Sequence, residues 1–583
     1  MSSATNHTAS RATLATVGAI AGLALWALFD VVPDLIDNER LVMFLISGGV
    51  GFFGALLALL GPVRLVPASV SAALLSIPAA LLLLWASFRF ADLDAFFDTP
   101  HAVAAFSYLV TVSIPFCAAA IGRTNGWRRY EDLFDLAWTI AVRYAAASLF
   151  VSVVWGVVLL SDALLGLVGI DAIEQLLDMD PVPYVLSGLA LGLGLAIVYE
   201  LRDYVSPFLL IQLLRVLLPV LLVVLVVFIL ALPFRGLSDL FGTFSAAATL
   251  ASVAFAGITL ITTSLHRDDT LSVEGPIMLM ATQTLSLIVP VPAFLAVFAI
   301  WLRVDQYGLT PDRVAAMATA VLIFLYATSY AISVLMRRNW RNKIRQSNTL
   351  LALTTLLIAV LWMTPVLNAE RLSANSQLLR AQSGVDLDDL ALWELSHEWG
   401  YAGVQALNTL RENSGRDDHV ELVALIERAE SETSRYAFER EKNVTLIASL
   451  EGIVPLRPLG AELPLGALES LPDHERRMIH EACARLLSDG QPGCVIVMAD
   501  FHPLVEAQQA IGLFLTEEDT VRSMGLWLRG SELYRTGRVD NIGSGVSRIN
   551  ADTISDVLTG EFQISPVPRN VLDVGGLKLI PDN

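Results

Sequence analysis

The stretch PFLLIQLLRVLLPVLLVVLVVFILALPF, residues 207 to 234, holds a single charge, Arg215, in a run made otherwise almost wholly of Leu, Val, Ile, Phe and Pro. A helix rises about 1.5 Å per residue, so roughly 20 apolar residues cross the roughly 30 Å hydrocarbon core of a bilayer. This run is therefore read as a membrane span. Working outward from it, comparable runs lie near 12–29, 41–61, 66–88, 102–122, 136–160, 183–200, 243–264, 276–302, 314–336 and 348–366, which makes eleven. Composition agrees: the 583 residues are 55% hydrophobic and only 16% charged, where soluble proteins carry about a quarter charged residues. The expected fold class is an all-α polytopic membrane bundle of about eleven transmembrane helices, with a C-terminal extracytoplasmic α+β domain. Residues 1–368 are assigned to the transmembrane domain and 369–583 to the second domain.

An odd number of spans puts the chain ends on opposite sides, and loop charge then decides which side is which. With the N-terminus inside, the inner loops carry twelve Lys/Arg, five of them in RRNWRNKIR at 337–345; the outer loops carry Arg40, Arg89, Arg235, Arg303 and Arg313. The excess predicts a cytoplasmic N-terminus and a tail on the far side, in a cytoplasmic (inner) membrane. The first ten residues, MSSATNHTAS, lack a basic n-region, so the first span is expected to stay uncleaved.

Charge divides the chain too. Residues 1–368 carry 19 Lys/Arg against 23 Asp/Glu, and residues 369–583 carry 19 against 34. A tail of net −15 excludes general nucleic-acid binding, while its Leu, Val and Ile content suffices for a core. The helical spacing of apolar residues predicts helices over 386–412, from Asp417 or Asp418 toward Arg440, and after Pro472. Strands are predicted at 494–500, 510–516, 524–530, 561–567 and 571–580. Cys483 and Cys494 flank the turn DGQPG and could fold back on each other; in an oxidising compartment they would form a disulfide, and two buried thiols are the other reading.

Polar groups inside spans need explaining, because charge at depth is costly. Arg143 in the fifth span, with Gln212 and Arg215 in the seventh, has two open readings: snorkelling to the inner headgroups, or lining a polar cavity that takes an anionic lipid or substrate. The segment LLGLVGI at 164–170 is too short to cross and too apolar for a free loop, so it is expected to be re-entrant or interfacial. Pro290 and Pro292 must interrupt helical hydrogen bonds in the ninth span. In the tail, the histidines 397, 419, 474, 480 and 502 match no metal spacing, NIGSGVS at 541–547 has no P-loop lysine, and Ser544 and Ser547 have no nucleophile elbow. Asp500, Asp519 and Asp540 could meet in space, but nothing in their spacing says so. No catalytic residue, metal site or cofactor is assigned.

The motif WLRVDQYGLTPDRV at 301–314 is expected to close one span and open the next, with Gly308 in the turn, Thr310 as cap and Pro311 at the first helical position. Arg303, Asp305, Gln306, Tyr307 and Arg313 then either fasten two helices at the outer surface or bind an envelope ligand or the tail. With LFVSVVWGVVLLSDALLGLVGIDAIEQLL at 149–177, GLALGLGLAIVYE at 188–200, the wider 300–331 segment and TPVLNAERLSANSQLLRAQSGV at 364–385, this motif resembles the DUF4153 family of bacterial multi-pass membrane proteins. The resemblance covers most of residues 100–410. It implies a bacterial cytoplasmic membrane and supplies no ligand or catalytic residue.

The functional expectation is transport or channel-like passage, with two rivals: a non-transporting envelope scaffold or sensor acting through the tail, and a membrane-embedded enzyme acting on lipid or cell-wall intermediates. Expected partners are the lipid bilayer, an anionic lipid and an envelope protein. A water-accessible path would favour transport, and paired carboxylates in a lateral cleft would favour the enzyme.

Overall fold

The computed structural model describes residues 2–60, 63–122, 126–200, 207–235, 244–269, 272–273, 275–412, 415, 418–438, 450, 452–464, 466–501, 508–516, 520–537, 539, 549–565, 572–574 and 577–579. Among them eleven helices are long and apolar enough to cross a membrane. They are α1 (Arg11–Leu35), α2 (Glu39–Leu59), α3 (Leu65–Ser87), α4 (His101–Gly122), α5 (Tyr130–Gly166), α6 (Pro181–Glu200), α7 (Leu210–Pro233), α8 (Ala246–Leu265), α9 (Pro276–Tyr307), α10 (Pro311–Leu335) and α11 (Trp340–Trp362). The side from which α1 starts is called near below, and the side on which α11 ends is called far.

Close helix approach is built from glycine. On α1, Gly18 and Gly22 face Gly188 and Gly192 of α6, and a Cβ on any of the four would overlap a backbone carbonyl of the partner helix. In hydrocarbon no hydrophobic effect drives helices together, so such small-residue contacts carry the packing. The Arg11–Glu200 ion pair joins the near ends of the same two helices. In α9 the helix is interrupted at Val289, between Pro276–Ile288 and Pro290–Tyr307, where the prolines remove backbone donors.

The 37 residues of α5 make a helix about 56 Å long, well beyond one bilayer crossing. Segment 164–170 is therefore not re-entrant: it is the last turn of α5 and the turn after it, with Leu167 84% exposed, and the short helix Ala172–Leu177 follows.

Two compact units emerge, Met1–Glu430 and Ser431–Asn583. The first unit includes α12 (Ala369–Gln382), α13 (Leu392–His397), α14 (Gly400–Glu412) and most of α15 (His419–Ser431). The expected single helix over 386–412 is broken at Gly400, whose φ of 53° lies in the left-handed region and whose Cβ position is occupied by the Arg89 carbonyl oxygen. Helix α15 stops at Ser431, short of Arg440; residues 439–449 lie outside those described.

Those helices are fastened to the far end of the bundle by backbone-directed bonds. Arg89 donates to the Trp362 and Thr364 carbonyls, both at 2.7 Å, and pairs with Glu370. The Tyr401 amide donates to the Arg89 carbonyl at 2.9 Å. Burial holds the Arg89 guanidinium below its ordinary pKa, with Glu370 opposing that shift.

The second unit centres on a five-stranded sheet in the order β1 (Leu456–Arg457), β2 (Cys494–Ala499), β3 (Gln508–Leu515), β4 (Val521–Arg529) and β5 (Glu532–Gly537). Strand β1 runs parallel to β2 and the other neighbours are antiparallel, so the sheet is mixed and open. Because side chains alternate between the faces of a strand, Cys494 and Ile496 enter one core while Val495 and Val497 enter the other. Helix α16 (Asp473–Ala484) covers the first face and α17 (Ala551–Thr559), opened by an Asn550–Thr553 capping box, covers the second. Cys483 of α16 and Cys494 of β2 form a disulfide. A separate hairpin pairs β6 (Leu572–Val574) with β7 (Leu577–Leu579). Residues 561–565 are not strand, contrary to the expectation for 561–567, whose last two residues lie outside the described set.

Candidate functional site

Five helices of the first unit, α4, α5, α8, α10 and α11, surround a cavity of about 970 Å³, near the top of the roughly 300–1,000 Å³ range of small-molecule sites. It is lined by alanines on facing helices, among them Ala104, Ala137, Ala318 and Ala352, and by aromatic side chains such as Phe134, Trp138 and Tyr326. Along α11 the lining runs from Asn348 to Trp362, fifteen residues that rise about 21 Å. Helices α5 and α8 contribute only through residues 130–141 and 255–262, at the near half, and the far half is lined by α4, α10 and α11. Phe255 on the rim is 60% exposed.

The lining contains no Asp, Glu, Lys or Arg among the described residues; its titratable groups are His101 and tyrosines. Polar atoms collect in three places. At the near end Tyr330 donates to Asn348 Oδ1, its hydroxyl lies 2.8 Å from Thr262 Oγ1, and Asn348 Nδ2 donates to Tyr130 at 3.5 Å. Midway, Tyr108 donates to Thr355 Oγ1 at 2.7 Å. At the far end His101 Nε2 sits 3.0 Å from Asp312 Oδ1, which joins the far tips of α4 and α10.

Below the near end the charges are spent internally. Arg345 donates to the Leu265 carbonyl at 2.8 Å, to the His266 carbonyl at 3.3 Å and to Asp269 at 2.9 Å, covering the carbonyl end of α8. Arg267 pairs with Asp135 at 2.6 Å, which holds its guanidinium pKa above the ordinary value. Burial, followed by the Arg215 charge, pushes the His266 imidazole down; Asp135 and Asp268 oppose this and Arg267 adds to it. The basic run at 337–345 is thus partly structural.

Of the residues singled out in the sequence, Arg143, Gln212 and Arg215 are not in the cavity lining. Arg143, 3% exposed, donates to the Leu60 carbonyl just past α2 at 2.9 Å and lies over the Tyr199 ring at 5.2 Å. Arg215 donates to the Thr263 carbonyl of α8 at 3.0 Å and to Gln212 Oε1 at 3.3 Å. Each arginine covers a carbonyl at the end of a neighbouring helix, where its charge also meets the negative pole of that helix.

The 301–314 motif forms the expected turn, with Gly308 at φ 75° and Thr310 capping α10. Arg303 and Arg313 both lie over the Tyr307 ring at 5.5 Å, and Arg313 donates to the Gly308 carbonyl at 2.8 Å. Helix α12 covers this turn: Arg380 donates to the Gln306 carbonyl at 3.0 Å, and Ser376 accepts from the Leu309 amide at 3.1 Å. Asp305 has no described role in the turn. In the tail, His397 stacks on Trp393 at 3.9 Å and His474 is 3.8 Å from Glu475. Asp519, Asp540, His502, Ser544 and Ser547 lie outside the described residues, among which no group of three metal-ligating side chains occurs.

Sequence reasoning missed Tyr130, Tyr326, Tyr330 and Asn348. The available signal was the pair Tyr326 and Tyr330, four residues apart and so on one face of a span, with a lone amide, Asn348, in the next span. Compared with family models, with curated proteins and with solved structures, the chain has no match. What stands is an integral, multi-spanning membrane protein with a distinct C-terminal unit of helices on a mixed sheet.

Proposed function

We propose that the bundle binds a lipid-like molecule by its apolar chain and passes it between the bilayer and the far side of the membrane. The observation that supports this is the cavity between five spans, lined along about 21 Å of α11 without Asp, Glu, Lys or Arg. An ion or a polar solute would need ionisable or densely polar walls at depth. A hydrocarbon chain is suited by alanine, leucine and aromatic walls. The enzyme reading draws no support from the lining, which offers no paired carboxylates among the described residues.

The location belongs to the same proposal: a bacterial cytoplasmic membrane, as the DUF4153 resemblance implies, with the N-terminus in the cytoplasm and the second unit outside. Loop charge supports that orientation, and so does the Cys483–Cys494 disulfide, since disulfides persist in oxidising compartments.

The test is extraction and mass analysis of lipids that co-purify with the full-length protein and with Ala318→Trp, which fills the cavity. A chain-bearing molecule enriched in the wild type and lost from a normally folded variant is the expected result. Equal lipid content in both would remove the cavity from the account.

A further inference from the structure

The near end of the cavity is a hydrogen-bond donor site without charge, and this says which head the bound molecule carries. We infer that the ligand is a lipid with an uncharged head whose oxygen accepts hydrogen bonds from Tyr130, Tyr326 and Asn348. Its class is carbonyl-, ester- or hydroxyl-headed, as in a diacylglycerol, a prenol or a quinone, and not phosphate-headed. This rests on the lipid-binding reading above and narrows it.

Proton accounting carries the argument. Thr262 donates to the Ile258 carbonyl at 2.9 Å, and Tyr330 donates to Asn348 Oδ1, so both of those protons are in use. Asn348 Nδ2 has two protons and makes only the 3.5 Å contact to Tyr130. Among the described residues the Tyr130 hydroxyl accepts that bond and donates to no acceptor, and the Tyr326 hydroxyl, which also lines the cavity, has no partner. Three groups therefore hold unspent donors at one end of an apolar cavity. An unmade hydrogen bond in such surroundings is costly, and a ligand oxygen would supply the missing acceptor.

A phosphate is disfavoured by the same surroundings. It requires a cation where water is scarce, and the lining offers no Lys or Arg, its single histidine, His101, lying at the far end against Asp312. The nearest guanidinium along α11 is that of Arg345, and its three nitrogens are engaged by two carbonyls and by Asp269. Recruiting it would uncap α8 and break an ion pair.

The experiment uses the full-length protein in nanodiscs and measures binding of short-chain diacylglycerol, geranylgeraniol and a short-tailed quinone against phosphatidylglycerol of matched chain length, with phytane as a headless hydrocarbon. Expected are tighter binding of at least one neutral-headed probe than of phosphatidylglycerol, and a loss of about tenfold for that probe in Tyr130→Phe/Tyr326→Phe, with phytane unaffected. The tyrosine changes keep shape and aromatic packing, and a thermal melt checks the fold of each variant. Phosphatidylglycerol binding as well as the neutral probes, with the double variant indifferent and Ala318→Trp excluding phytane, would overturn the neutral-head assignment and leave the cavity reading intact. If Ala318→Trp and Ala352→Phe both bind phytane as the wild type does, the cavity reading fails first.

Discussion

Arg89 Nη1 lies 3.2 Å from Glu370 Oε2, an ion pair between residues 281 apart in sequence whose side chains are only 12% and 5% exposed. It ties the loop after α3 to the first helix beyond the last span. Removing one member of a buried pair leaves the other charge uncompensated, which costs about 3–5 kcal/mol. Arg89→Ala is therefore expected to lower the melting temperature in detergent and to expose α12–α15 to protease while the spans stay protected. Glu370→Gln, which keeps an acceptor oxygen for Arg89, should cost less. A melt of Arg89→Ala indistinguishable from wild type would mean that apolar packing alone holds those helices.

The reciprocal glycine contact of α1 and α6 makes a second expectation. A side chain at Gly18 or Gly188 must push the two backbones apart, because each Cβ position already holds the other glycine's carbonyl oxygen. Overpacking of this kind costs about 1–3 kcal/mol. Gly18→Val and Gly188→Val should each destabilise the bundle, whereas Gly54→Val, at a position with open space around it, should not. Heat-induced aggregation of the three detergent-solubilised variants makes the comparison, and equal behaviour would contradict the close approach.

The difference between what hydropathy reveals and what it hides follows from the same contacts. Eleven spans were legible because a bilayer demands long apolar runs, and nothing else in a chain looks like them. The contacts of the helices that follow were not, because α12–α15 are polar and amphipathic like the helices of a soluble domain, and Arg89, Glu370 and Arg380 meet backbone and charge across long sequence distances. Arg143 and Arg215 stood out as buried charge, yet carbonyl partners at Leu60 and Thr263 have no signature in spacing. The cavity was invisible for a further reason. Hydropathy records that Ala318 and Ala352 are apolar, and is blind to whether they face a neighbour, a lipid or a hollow.

His266 gives the protein a calculable response to acid. Its imidazole is buried against Phe134, with ring centroids 5.1 Å apart, and is held below its ordinary pKa of 6.5, chiefly by burial and next by Arg215. The folded chain thus binds this proton less readily than the unfolded chain, so stability rises with pH through this group. Its contribution is fully present above about pH 6.5 and is lost as the pH falls below it. The melting temperature should drop between pH 7.5 and pH 5.5. His266→Asn, which tolerates the positive φ of 53° at this site, should flatten that drop. An unchanged slope in the variant would assign the acid sensitivity to other groups.

Sidedness is the premise on which the proposed direction of lipid passage stands, and two positions test it. Asn339 sits in the turn between α10 and α11, inside the basic run that would be retained in the cytoplasm. Ser383, exposed just past α12, follows the last span and would lie outside. In a Cys117→Ser background with the 483–494 disulfide intact, Ser383→Cys is expected to react with a membrane-impermeant maleimide on intact spheroplasts, and Asn339→Cys only after permeabilisation. Because α11 is the one span between the two sites, their labelling must be opposite whatever the orientation. Labelling of both from outside would break the span assignment itself, whereas the reversed pattern would keep the span and invert the membrane, moving the disulfide unit to the cytoplasm and the neutral donor end of the cavity to the outer leaflet.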